Sequence, residues 1–359
     1  MNASSGTDTG ADTDTSAGTG TPVDVGALVG TGTGPVVRPW LLPGWRDRAV
    51  SVVDAQLAVA GLRRTGPVED VKRWSLSVVL RCPTTGGAVF YKQSLPSLAH
   101  EGRVLSLLAG RRPRLVPAVV ADAPPEDGWC TREVRLRPGT ELPHDARGRA
   151  LAVLGDVQRD WLGRTPELAA AGCWVRTARA LADAVPSVAR SGLFEPDSGL
   201  PDALSPQERF RFAGACSRLP ELCAALAAAP PGETLVHGDL HPGNWGVARA
   251  TGEIVLLDWA EAAVGHPFLD VVAALRSCPD PGARGRALDR YFSGWSPLMS
   301  PARCRAVWRL AEPVAVFNQI VTYARFLAEA EPEERAGWAP RLLWWARRLP
   351  RTVEDAVRR

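Results

Sequence analysis

The run Leu235-Val236-His237-Gly238-Asp239-Leu240-His241-Pro242-Gly243-Asn244 is followed, fourteen residues after Asn244, by Asp258, which closes the apolar stretch from Ile254 to Leu257. Gly238, Pro242 and Gly243 bar a helix and enforce an irregular loop. A buried strand ending in a carboxylate places a charge that must be paired or bind a cation. One carboxylate here can take a proton from a hydroxyl. The amide oxygen of Asn244 and the second carboxylate are hard oxygen ligands of the kind that hold magnesium. Polar side chains on a rigid loop beside a buried strand are the usual form of a catalytic site.

This constellation resembles the aminoglycoside phosphotransferase and choline kinase family, a branch of the protein-kinase-like fold. Its H-G-D-x-x-x-x-N loop is complete as His237, Gly238, Asp239 and Asn244, and the following Asp is Asp258. The resemblance implies that Asp239 positions the acceptor hydroxyl and takes its proton, and that Asn244 and Asp258 bind Mg2+ on ATP. His237 and His241 would then position the loop. Gly265-His266-Pro267-Phe268-Leu269-Asp270 resembles the family's glycine-acid-proline segment, with His266 in place of the acid. Asp270 is expected to brace the loop or the helix start. Glu261 faces either the acceptor or solvent.

The family also needs a strand lysine paired with a glutamate on the next helix. The chain has 40 arginines and only two lysines, Lys72 and Lys92. Lys92 lies in the strand-like run Val89-Phe90-Tyr91-Lys92-Gln93, and nine residues on Glu101 opens a helix. A compact ammonium reaching phosphates is not interchangeable with a planar guanidinium. No glycine-rich loop separates the first two strands. Trp74-Ser75-Leu76-Ser77 stands there, so Ser75 and Ser77 are the expected phosphate contacts. No G-x-x-x-x-G-K-[ST] occurs, which excludes a Walker-type site.

The elements that must position these residues are legible as alternating and helical patterns. A helix at 46–62, strands at 68–82 and 88–95 with a hairpin turn at 84–87, a helix at 100–108 and strands near 116–121 and 129–136 form a small antiparallel lobe. Helices at 146–161, 172–190, 206–228, 267–277, 284–293, 301–329 and 335–348 follow, interrupted by strands at 234–236 and 253–257; Pro313 is expected to kink or divide its helix. The fold class is therefore α+β, a two-lobed protein-kinase-like fold with a small β lobe and a larger α-rich lobe. The expected domains are a disordered Gly/Thr-rich tail (1–36), a nucleotide-binding lobe (37–138) and a catalytic and substrate-binding lobe (139–359). Gly30, Gly32 and Gly34 in the tail imitate a dinucleotide fingerprint, but Pro35 stands where its third glycine belongs.

Composition narrows the classes further. At 359 residues, 45% hydrophobic and 23% charged, the chain can bury a sizeable core in two lobes. The net charge of +3 comes from arginines scattered among carboxylates, without the basic stripe that tracks nucleic acid. No apolar run is long enough to span a membrane, and the N-terminus has no secretory pattern. A cytoplasmic protein, monomer or homodimer, is expected. Seven cysteines without a C-x-x-C pair read as reduced core thiols.

Two rival readings come from the same residues. His237, Asp239 and His241, completed by His266, could form a metal-dependent hydrolase site, but that leaves Lys92, Glu101, Asn244 and Asp258 without a role. A non-catalytic nucleotide-binding protein on the kinase fold requires the loss of an essential group, and none is lost. The reading is an ATP- and Mg-dependent phosphotransferase acting on a hydroxyl of a small molecule such as an aminoglycoside, an amino sugar or a choline-like alcohol.

Overall fold

Alternating side chains build the smaller lobe. Strands β1 (Glu69–Arg73), β2 (Ser77–Thr84), β3 (Gly87–Ser94) and β4 (Trp129–Arg132) form one antiparallel sheet in that order. In β2 and β3, every second residue is buried against the core, the half-buried pattern of a sheet with one covered face. Helix α1 (Trp45–Val59) precedes the sheet and is pinned to it. The Gln56 amide donates to the Gly128 carbonyl and accepts from the Cys130 N–H, and the Trp45 indole donates to Gln93. Helix α2 (Glu101–Arg111) follows β3 after a single 3-10 turn, so Glu101 starts its helix beside the strand that carries Lys92. The computed structural model describes residues 36–195, 198 and 200–358; the Gly/Thr-rich stretch and its glycine decoy lie outside the described residues.

Two three-stranded sheets then frame the polar loop. One orders β5 (Leu136–Pro138), β8 (Trp245–Ala248) and β9 (Ile254–Leu256); the other orders β6 (Trp174–Arg176), β10 (Ala263–Gly265) and β7 (Thr234–Val236). The polar loop thus enters from β7 and leaves into β8, while β9 delivers Asp258 and β10 carries the chain away. Around them pack α3 (Ala146–Asp160), α4 (Thr165–Ala170), α5 (Ala178–Ala189), α6 (Pro206–Ala227), α7 (Asp270–Leu275), α8 (Pro281–Gly294), α9 (Pro301–Glu329) and α10 (Pro332–Val357). Local sequence starts several of them. Ser205 and Glu208 form a reciprocal capping box on α6, Thr177 caps α5, and Ser300 before Pro301 caps α9. Every residue from Val314 to Ala324 of α9 is buried, the mark of a core helix.

The expected two-lobed α+β arrangement is present, with local differences. The stretch 68–82 is two strands broken at Trp74–Leu76. Only an isolated bridge, Val119 to Thr131, forms within 116–121, where Pro117 has no N–H for a ladder. The stretch expected to be one helix at 172–190 begins as β6, because Trp174 and Val175 pair with β10, and Thr177 then restarts it as α5. Pro313 lies within one continuous helix enclosed by neighbours. All seven cysteines are buried and unpaired. Among the described residues no helix is long and apolar enough to cross a membrane.

Candidate active site

The polar loop is held from below by buried groups. Asp270, fully buried, accepts from the Gly238 N–H at 2.8 Å, the His237 N–H at 3.0 Å and the Gln158 amide at 2.8 Å. Gln158 is fixed in turn by the Tyr291 hydroxyl at 2.6 Å, and Gln319 donates to the Gly238 carbonyl at 2.8 Å. Burial pushes the Asp270 carboxyl up to about 7 against the pull of its three N–H donors. Gly238 sits at φ +90°, and a Cβ there would lie 2.6 Å from both the Glu261 Cβ and carbonyl oxygen. Only glycine fits that turn. His237 packs its ring on Trp259, centroids 4.4 Å apart, with Nε2 3.0 Å from the Leu257 carbonyl.

Asp239 stands at the tip of this braced turn. The Asn244 amide donates to its main-chain oxygen at 2.9 Å and to Oδ2 at 3.2 Å. Nδ1 of His241 accepts from the Gly243 N–H, so the neutral ring carries its proton on Nε2, 3.4 Å from Asp239 Oδ2. Burial holds the His241 pKa down at about 4. Asp239 Oδ1 has no hydrogen-bond partner among the described residues; the nearest cation is Nη1 of Arg276 at 3.8 Å, itself held by the Tyr323 hydroxyl. Burial raises the Asp239 carboxyl to about 7, with Arg276 opposing and Asp258 adding to the rise.

Above the loop, one ammonium joins the lobes. Lys92 Nζ lies 2.6 Å from Glu101 Oε2 and 2.7 Å from Asp258 Oδ1. The other Glu101 oxygen accepts from the Trp259 N–H at 3.1 Å, so the helix glutamate also fixes the chain just beyond Asp258. Asp258 adopts φ +58°, a left-handed conformation rare for a side-chain-bearing residue. Burial works against ionising its carboxyl, but Lys92 overrides it and the pKa is lowered. Nearly half of the Asp258 side chain, 44%, stays open to the cleft. Asn244 donates through its nitrogen and its oxygen accepts no hydrogen bond among the described residues. Asn244 and Asp258 both line the cleft, and an amide oxygen with a carboxylate is a donor pair that suits a hard divalent cation.

The cleft joins Lys92, Asp239, Asn244, Asp258 and Glu261, facing a wall of Trp74, Tyr323, Phe326 and Trp338. Burial and the neighbouring Asp239 and Asp258 push the Glu261 carboxyl well up. The enclosed volume is about 70 Å³, far below the roughly 300–1,000 Å³ of ligand pockets, so the cleft is nearly shut.

What shuts it is the segment expected to touch phosphate. The Ser75 hydroxyl and N–H both donate to Glu334 Oε2, at 2.6 and 3.0 Å, and the hydroxyl accepts from the Glu331 N–H. Ser77 accepts from the Trp74 indole at 2.6 Å and, unlike Ser75, lines the cleft. Trp74 packs on Trp338 at 5.2 Å between centroids. Arg38 bonds the Ser75 carbonyl at 3.2 Å and pairs with Glu331 at 2.7 Å, and Ser97 donates to Glu329 at 2.9 Å. Glu329, Glu331 and Glu334, grouped around Pro332, thus tie the large lobe to the small one.

Sequence reasoning missed Gln158, Gln319 and Arg276. No local signal marks the two glutamines, which come from distant helices; Arg276 follows Asp270 by six positions but is one arginine among many. His266 does not join a metal set. Its Nε2 is 3.3 Å from the Pro230 carbonyl and Nδ1 accepts from Phe268 N–H. Among the described residues no three His, Cys, Asp or Glu side chains are grouped to hold a metal, so the hydrolase reading lacks its ligands.

The family model described as the phosphotransferase enzyme family (APH) matches residues 68–307. Among solved structures, a type I macrolide 2'-phosphotransferase is similar at 19% identity and TM-score 0.57, over 82% of this chain and 96% of that one. Macrolide 2'-phosphotransferase MphH from Brachybacterium faecium is similar at 23% identity and TM-score 0.51, over 80% and 98%. A choline/ethanolamine kinase family protein from Mesorhizobium loti is similar at 15% identity and TM-score 0.55, over 86% and 99%. At these identities the likeness is one of fold. No curated protein matches the chain. The family match takes in the sheet that bears Lys92, the Asp239 loop and Asp258: the chain belongs to the phosphotransferase enzyme family, whose fold here is that of small-molecule kinases.

Proposed function

We propose that the protein transfers the γ-phosphoryl group of ATP to a hydroxyl of a small, amine-bearing molecule, with Asp239 as the base. The observation that carries this is the unpartnered Oδ1 of Asp239. One oxygen of the carboxylate is held by Asn244, and the main chain is locked through Asp270. Oδ1, buried in this closed arrangement without a hydrogen-bond partner among the described residues, takes an incoming hydroxyl when the cleft opens. A carboxyl raised toward neutrality suits proton acceptance near physiological pH. The acceptor oxygen forms its bond to the γ-phosphorus, its proton passes to Asp239 Oδ1, and the bond to the ADP oxygen breaks.

Lys92 meets the phosphates, and Glu101 sets its position from behind. Ser77 is the loop hydroxyl left to contact phosphate, whereas Ser75 holds the loop to Glu334. His237 and His241 shape the loop, and Asp270 braces it. Asn244 and Asp258 would hold magnesium, which supplies charge neutralisation on the transferring group. Asp239 and Glu261 facing four aromatic rings favour an amine-bearing acceptor, the chemistry of aminoglycosides, amino sugars and choline-like alcohols.

The test is ADP release by the purified protein with ATP and magnesium, against aminoglycosides, macrolides, amino sugars, choline-like alcohols and hydroxy amino acids. One class should give ADP and phosphorylated product in equal amounts. Tight ATP binding without turnover across the panel would overturn the catalytic reading in favour of a nucleotide-binding protein.

A further inference from the structure

Lys72, the second of the chain's two lysines, is placed by a defect in the sheet. Asp70 pairs with Leu80, but the next pair along is Lys72 with Val79, so Val71 is an extra, bulged residue. A bulge re-aims the side chains that follow it. Val79 also pairs with Lys92 on its other side. Residues directly opposite in antiparallel strands project on the same face. Lys72, Val79 and Lys92 therefore form one row on the cleft-facing side of the sheet. With strands about 4.8 Å apart, the two lysine backbones lie roughly 10 Å from each other.

The Lys72 ammonium rests 3.5 Å from the ring centroid of Trp74, which is itself a wall of the cleft beside Lys92 and Asp258. It makes no ion pair or hydrogen bond among the described residues. Partial desolvation lowers its pKa; Asp258 opposes that shift and Lys92 adds to it, so both groups are near enough to be felt. A cation at the edge of the cleft, held by an aromatic face and unmatched by a carboxylate, is a group waiting for an anion. The loop beside it has no glycines whose backbone amides could cradle phosphate, and the Ser75 hydroxyl is already committed to Glu334, which leaves Ser77 as its one free hydroxyl donor.

We propose that Lys72 is a second phosphate-binding cation, meeting the outer phosphates of the nucleotide in place of a glycine-rich loop. This rests on the ATP reading above. The experiment measures binding of AMP, ADP and ATP, each with magnesium, to the full chain and to its K72Q and K72R variants. Lys72 is exposed, so K72Q should melt with the wild type. K72Q should weaken ATP roughly tenfold or more while leaving AMP unchanged, and K72R should recover part of the loss. Equal ATP affinity in K72Q and wild type, or equal weakening of AMP and ATP, overturns the role of Lys72 alone. Failure of the wild type to bind ATP at all overturns the nucleotide reading and this proposal with it.

Discussion

On the Asp239 side of the cleft, Gln158, Asp270 and Gln319 are buried and bonded within 3.0 Å of their partners, all inside one lobe. On the Trp74 side, the loop is held by Glu334, Glu331 and Arg38, which reach across from other parts of the chain to a rim where the Glu331 side chain is 36% exposed. Removing a partner from a buried network strands polar groups at about 1–3 kcal/mol each. Exposed ion pairs contribute about 0–1 kcal/mol. The lower wall is therefore a fixed platform under Asp239, and the upper wall, a cover tied through a partly exposed rim, is the more readily released of the two. The proposed phosphoryl transfer would use both: a base that does not move and a cleft that opens to a nucleotide far larger than the space now enclosed.

Substitutions can break this contrast. The largest effect is expected from Asp239→Asn, which should keep the wild-type fold but lose about 10²-fold or more in kcat; near-normal turnover would remove Asp239 from the chemistry. Next, Lys92→Arg should raise the KM for ATP by roughly tenfold with charge retained, because a guanidinium cannot sit as a point charge between two carboxylates. Asp270→Asn aims an N–H2 group at N–H donors and should cost about 1–3 kcal/mol of stability, seen in thermal melts, along with activity. Its pH dependence has a defined sign. The folded carboxyl titrates near 7 and the unfolded one near about 4, so wild type gains stability below about 4 and loses it as pH rises to 7. The melting-temperature gap between wild type and Asp270→Asn should shrink from pH 5 to pH 8. The smallest effects belong to the cover: Glu334→Gln should cost about 1 kcal/mol or less yet alter the KM for ATP, whereas its exposed neighbour Glu333→Gln should change neither. A Glu334 variant as damaging as Asp270→Asn would erase the distinction between the walls.

The loop that the platform carries was legible in the sequence because it is local. Residues 237–244 and 258 lie close together in the chain, and Gly238 and Pro242 announce an irregular loop. Lys92 stood out because lysine is so rare here. The cover was not legible. Ser75 meets Glu334 across 259 positions, and four glutamates around Pro332 carry no sign that three of them face the other lobe. The same holds for Gln158, whose glutamine looks like any other on an amphipathic helix until Asp270 is placed against it. Short-range pattern identifies residues that a turn must hold; it is silent on which distant side chain meets them.

The contact between Ser75 and Glu334 has an evolutionary consequence. Helices α9 and α10 supply Tyr323, Phe326 and Trp338 to the cleft wall proposed to meet the acceptor, and their junction also clasps the Trp74 loop proposed to cover the nucleotide. A mutation that reshapes this junction to admit a new acceptor also changes how readily ATP gains access. On the proposed function, acceptor range and nucleotide affinity are linked traits in this chain, and selection for one drags the other along.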